Sequence, residues 1–188
     1  MYIQIIIILI ILVLFKMYFY KSIGNGLYIK SSIDNQYYYV KKSDDQQSAA
    51  DLIAKLKAKL NQFCLCLKNK YPQKENVDRL VENFKNCTFQ ESMDTKYTSY
   101  SVNKGEKLVF CLRHRDGPNK GILQDLNTLM FVALHEMSHL ASKSYHHTPE
   151  FNDNFKFLMR EAIHCGVYQK IKLPKKYCGI TITSSPLN

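Results

Sequence analysis

Apolar and polar positions along this chain recur with two different periods. Leu52, Ile53, Leu56, Leu60 and Phe63 repeat at intervals of three and four, with Lys55, Lys57 and Lys59 between them. That spacing predicts an amphipathic helix over residues 52–67. Ser43, Asp44 and Asp45 are N-cap candidates before it, and the Tyr71-Pro72 pair breaks it. A second helix is predicted over residues 74–86 from Val77, Leu80, Val81 and Phe84. The run Leu129-Met130-Phe131-Val132-Ala133-Leu134 predicts a helix over residues 123–142. Another is predicted over 149–165, with Phe151, Phe155, Leu158 and Met159 as its core stripe. Strand composition appears in Tyr37-Tyr38-Tyr39-Val40, in residues 107–112 and, more weakly, in residues 177–183. Residues 89–104 read as polar and irregular.

The N-terminus differs. From Tyr2 to Tyr20 it is almost wholly aliphatic and aromatic, about the ~20 residues needed to cross a bilayer. No basic residue precedes the run and no small-residue cleavage site follows it, so it reads as an uncleaved anchor rather than a signal peptide. Lys16, Lys21 and Lys30 lie on its C-terminal side. The positive-inside rule then predicts a single-pass membrane protein with its body on the cytoplasmic side.

Composition narrows the picture modestly. The 188 residues are 46% hydrophobic and 22% charged, as in an ordinary globular protein, with a net charge of +10. A positive body admits acidic partners, including nucleic acid or an anionic membrane, but the lysines are scattered and no nucleic-acid motif appears. The six cysteines, Cys64, Cys66, Cys87, Cys111, Cys165 and Cys178, form no paired C-x-x-C knuckle. Cys64 and Cys66 diverge by about 200° on a helix and are poor partners for each other. For a cytosol-facing domain, free core thiols are the simpler reading. A second metal site from His164, Cys165 and Cys178 matches no standard spacing.

The candidate chemistry lies in His135-Glu136-Met137-Ser138-His139. Two histidines at i and i+4 share a helix face and can reach one Zn²⁺, while the glutamate between them can take a proton from a water that the metal activates. A catalytic zinc site wants a third protein ligand. His147, His146, Glu161 and Asp153 are the downstream candidates.

The segment His135-Glu136-x-x-His139 followed by His147-x-Pro149-Glu150-Phe151 resembles the SprT/Spartan and WLM (Wss1-like) group of small zinc peptidases. The likeness spans about residues 108–165. It implies His147 as third ligand, Glu136 as general base, Zn²⁺ as cofactor and a protein or peptide as substrate. It also implies that the strand over 108–112 is a sheet edge able to pair with that substrate. Tyr168 or Tyr177 is a candidate donor to the oxyanion. The expected architecture is α+β: a transmembrane anchor over 1–21, a linker over 22–36, and a zincin-like domain over 37–188 whose short sheet packs on the H-E-x-x-H helix. The expected activity is that of a membrane-anchored zinc peptidase. The competing reading is a catalytically inactive, membrane-tethered interaction or structural protein that binds anionic lipid or nucleic acid.

Overall fold

The computed structural model describes residues 7–11, 13 and 25–187. The chain is α+β, in the order β1 (Gly26–Lys30), β2 (Tyr37–Lys41), α1 (Gln46–Lys70), α2 (Glu75–Phe84), β3 (Thr88–Glu91), β4 (Tyr100–Val102), β5 (Lys107–Phe110), α3 (Leu126–Ala141), α4 (Pro149–His164), β6 (Lys175–Tyr177) and β7 (Ile180–Ile182). Five strands form one mixed sheet in the order β1-β2-β3-β5-β4, and β6 and β7 form a separate hairpin. The β1–β2 and β4–β5 pairs are antiparallel, and the two central pairings are parallel. The crossover from β2 to β3 carries α1 and α2, as parallel neighbours require.

Helix α1 lies against β1, β2 and β3. It buries Ile53, Leu56, Leu60, Phe63 and Leu67 at the spacing read from the sequence. Helix α3 packs between α2 and α4 and meets the sheet at β4. Its residues from Thr128 to Leu134 are buried without a break, which is why its sequence shows no polar face there. Beyond Leu134 burial relaxes only at His135 and His139, one turn apart.

Several expectations are corrected. Among the described residues no helix is long and apolar enough to cross a membrane. The transmembrane helix over 1–21 is therefore withdrawn, and with it the single-pass membrane localisation and its cytoplasmic orientation. Ile7–Ile11 and Val13 are helical. The remainder of that segment, Val13 apart, lies outside the described residues. Residues 26–30, read as linker, form β1 instead. The segment read as irregular, 89–104, contains most of β3 and all of β4. β5 is not an edge: it lies between β3 and β4, and β4 is the outer strand.

The thiol reading also changes. Disulfides join Cys66 to Cys165 and Cys111 to Cys178, while Cys64 and Cys87 are free and buried. The divergence of Cys64 and Cys66 on α1 explains the outcome: one points into the core and the other reaches the end of α4. Because Cys165 and Cys178 belong to different disulfides, they cannot form a metal site with His164.

Candidate metal centre

The helix that carries the histidine pair is well founded. Asp125 caps its start, accepting from the Thr128 amide at 2.8 Å and from the Thr128 hydroxyl at 2.7 Å. Its far end is held by α2. Arg79 donates to the Ala141 carbonyl at 2.6 Å and Asn83 to that of Leu140 at 2.9 Å, so two carbonyls left over at a helix terminus are satisfied.

His147 comes from the loop between α3 and α4. Thr148 caps α4 with Pro149 in its first turn. The Glu150 carboxylate reaches back over the loop and accepts from the Lys143 amide (2.8 Å), the Ser144 amide (3.0 Å) and the Ser144 hydroxyl (2.7 Å). Those hydrogen bonds hold Glu150 well below the usual carboxylate range, at about 2. Glu150 thus braces the loop rather than serving only the helix dipole.

The structure brings His135, His139 and His147 together. One ring nitrogen from each lies within 4.8 Å of the others, and Nε2 of His147 stands 3.1 Å from Nε2 of His135. Phe151, buried, forms a common wall, its ring centre 4.3 Å from that of His139, 4.7 Å from His147 and 4.9 Å from His135. Burial, then repulsion from the other two rings, pushes His135 down to about 3. Burial and its charged neighbours push His139 down to about 4. Both imidazoles are therefore neutral at physiological pH, with lone pairs available. Two imidazole nitrogens 3.1 Å apart must share a proton or a cation. The cluster can hold a metal ion.

Glu136 is 5% exposed and opens onto the same cleft, which has a volume of about 570 Å³. Burial pushes its carboxyl up to about 7, against hydrogen bonds from Ser101 on β4 that pull the other way. The outer strand thus reaches the acid directly. The cleft's rim carries Tyr97, Tyr100 and Tyr145, exposed by 53%, 36% and 69%.

The other candidates lie elsewhere or differ in role. His146 borders the cleft at φ +66° but does not join the three-nitrogen cluster. Glu161 is turned toward α1, where it takes Lys70 Nζ at 2.6 Å, with His164 Nδ1 at 3.3 Å. Asp153 is exposed on α4. Neither proposed oxyanion tyrosine lines the cleft. Tyr177 is buried, its hydroxyl 2.6 Å from Ser99 Oγ and 3.0 Å from the Cys111 carbonyl, and Tyr168 packs against Phe131. Tyr97, Tyr100, Ser101 and Lys104 were missed in the sequence because they lie in the stretch 89–104, which lacks a period, and Tyr145 because it lies in the loop between α3 and α4.

The protein named Uncharacterized protein R325, from Acanthamoeba polyphaga mimivirus, is 31% identical over 170 residues, covering 86% of this chain and 85% of that one. The chain belongs to the same family as that mimivirus protein. Uncharacterized protein 136R of Invertebrate iridescent virus 6 is 32% identical over 81 residues, 43% of this chain and 44% of its own. Uncharacterized protein 042R of Invertebrate iridescent virus 3 is 39% identical over 83 residues, 44% of this chain and 50% of its own. No family model and no solved structure matches the chain. These viral names carry no activity, so function rests on the chemistry of the site.

Proposed function

We propose that this protein is a zinc-dependent peptidase. The observation that carries the reading is the convergence of three imidazoles with a buried glutamate at the edge of one cleft. His135, His139 and His147 would hold the ion. Zinc with three histidine ligands at ~2.0–2.1 Å in a tetrahedral array places their nitrogens ~3.3 Å apart. The 3.1 Å between His135 and His147 suits that spacing, and the remaining separations, within 4.8 Å, are of the same order. The resemblance of the H-E-x-x-H and H-x-P-E-F segments to SprT- and WLM-type peptidases supports the same assignment.

When bound, zinc supplies a Lewis acid that polarises a carbonyl and makes water easier to deprotonate. Glu136 takes up the proton as water attacks the peptide carbonyl, then returns it to the departing amine. Its high proton affinity suits that exchange near neutral pH, and a bound cation beside it lowers the value again. Ser101 orients the carboxylate. Strand β4, as the outer strand, pairs with substrate backbone by strand addition, and this gives orientation with little dependence on side chains. The three rim tyrosines offer apolar contact to the side chains of that substrate.

The test is cleavage of an unfolded protein substrate by the zinc-loaded full chain and by Glu136→Gln. Turnover should drop at least ~100-fold, the scale of general acid-base catalysis, with the zinc content unchanged. Undiminished cleavage by the variant would refute the role of Glu136. A zinc-loaded wild type that cleaves nothing would turn the reading toward a non-catalytic metal-binding protein.

A further inference from the structure

We propose that Lys104 is a positioning residue for the metal centre: it fixes the loop that presents His147. The inference rests on reading the three histidines as metal ligands. Two of them need no help, because His135 and His139 ride on α3. His147 is exposed and lies in a loop, so its place depends on what ties that loop down.

Glu150 ties it from the α4 side. Lys104 ties it from the sheet side. Its ammonium donates to the carbonyl of Ser142 at 2.8 Å, to that of Lys143, and to that of Ser144 at 3.2 Å. It also sits 4.4 Å from the centre of the Tyr145 ring, in cation–π range. An ammonium has three N–H donors, and three carbonyls of one loop take them. Although Lys104 borders the cleft, no donor is left for a substrate carbonyl or an oxyanion. That accounting assigns it to positioning rather than to chemistry. Charged donors to carbonyls are among the stronger hydrogen bonds, so the tie is firm.

The tie is itself anchored. Asn103 and Lys104 turn between β4 and β5 with φ +45° and +51°. Gly105 follows at φ +121°, so close to α2 that a Cβ there would stand 2.2 Å from the Asn83 carbonyl oxygen. Asn83 is also the residue whose side chain holds the Leu140 carbonyl at the end of α3. One β-turn thus registers three things against each other: the outer strand, the end of the H-E-x-x-H helix, and the loop with the third histidine.

The experiment is Co²⁺ titration of the metal-free full chain, read by visible absorption, in wild type, Lys104→Met, His147→Ala and the double variant. Support to a ligand is typically worth 10–100-fold in metal affinity. Lys104→Met should therefore weaken Co²⁺ binding by about that factor, and its saturated spectrum should shift toward that of His147→Ala. In the His147→Ala background the same change should cost less than about threefold. Wild-type affinity and spectrum in Lys104→Met would overturn the proposal, as would an equal loss in both backgrounds. Should Lys104→Met fail to fold, Lys104→Gln, which keeps an NH₂ donor, carries the comparison with a smaller loss of the same sign. A wild type that binds no Co²⁺ would overturn the metal-centre reading and this inference with it. Binding without peptidase activity would leave this inference standing and remove only the proposed reaction.

Discussion

Phe151 ties the stability of the fold to the metal centre. Its side chain is 2% exposed and touches all three histidine rings, and Phe155 lies 5.9 Å away on the same helix face. Phe151→Ala removes a fully buried ring and leaves a cavity that neighbours on two helices fill only in part. Such changes cost ~3–5 kcal/mol. With a urea slope of ~2 kcal/mol per M, the midpoint of the metal-free protein should fall by ~1.5–2.5 M. A second effect appears with metal. Zinc at 100 times its dissociation constant adds ~2.7 kcal/mol to the wild type. If loss of the wall lets the rings move and weakens binding tenfold, the same zinc concentration adds only ~1.4 kcal/mol. Urea unfolding with and without zinc separates the two. A metal-free loss below ~1 kcal/mol would refute the packing argument. A full metal-free loss with an unchanged zinc increment would show that the ring fills the core without shaping the site.

Two further predictions concern protons and thiols. Folding holds His135 and His139 below their ordinary 6.5, at about 3 and 4, so their contribution is present above pH 6.5 and is lost as pH falls toward those values. Glu136 runs the other way: raised from 4.5 to about 7, it costs stability as pH rises through that window. Two histidines oppose one carboxylate, so the urea midpoint of the metal-free protein should fall below about pH 6.5, and more steeply in Glu136→Gln; a midpoint that rises from pH 7 to 5 would contradict this. Thiol titration of the unreduced, denatured chain should find only Cys64 and Cys87 reactive, whereas six reactive thiols would rule out both disulfides. The disulfides span 99 and 67 residues, and replacing either pair by serine should cost ~2–5 kcal/mol in chemical unfolding.

What the sequence revealed, and what it hid, has physical causes. Helices α1 and α4 were legible because each buries a face at helical spacing, α3 because its apolar run is unbroken, and the histidine pair because i and i+4 share a face. Strands β3 and β4 were not. β3 turns Phe89 and Glu91 inward, and an inward glutamate breaks the apolar alternation by which strands are recognised. Its charge is tolerated because Arg113 and the Lys41 amide both reach it, and Arg113 also joins Asp45, contacts that no local pattern encodes. β4 has three residues, too few for a period. The disulfides escaped because their partners lie far apart along the chain and meet only in the folded molecule, Cys66 near the end of α1 with Cys165 at the end of α4, and Cys111 just after β5 with Cys178 between β6 and β7. The outer strand was assigned to the more apolar of two neighbours, but apolarity marks an interior strand, and the true edge is the polar one. Lys104 had no sequence signal: its role arises from a turn docked on α2.

The central claim is that three histidines hold one metal ion. Zinc per chain, measured by elemental analysis on the folded full chain after zinc loading and desalting, tests it most directly in wild type, His147→Ala and His146→Ala. The account predicts about one zinc in wild type and in His146→Ala, and clear loss in His147→Ala. No zinc in the folded wild type, or full retention by His147→Ala, would contradict it.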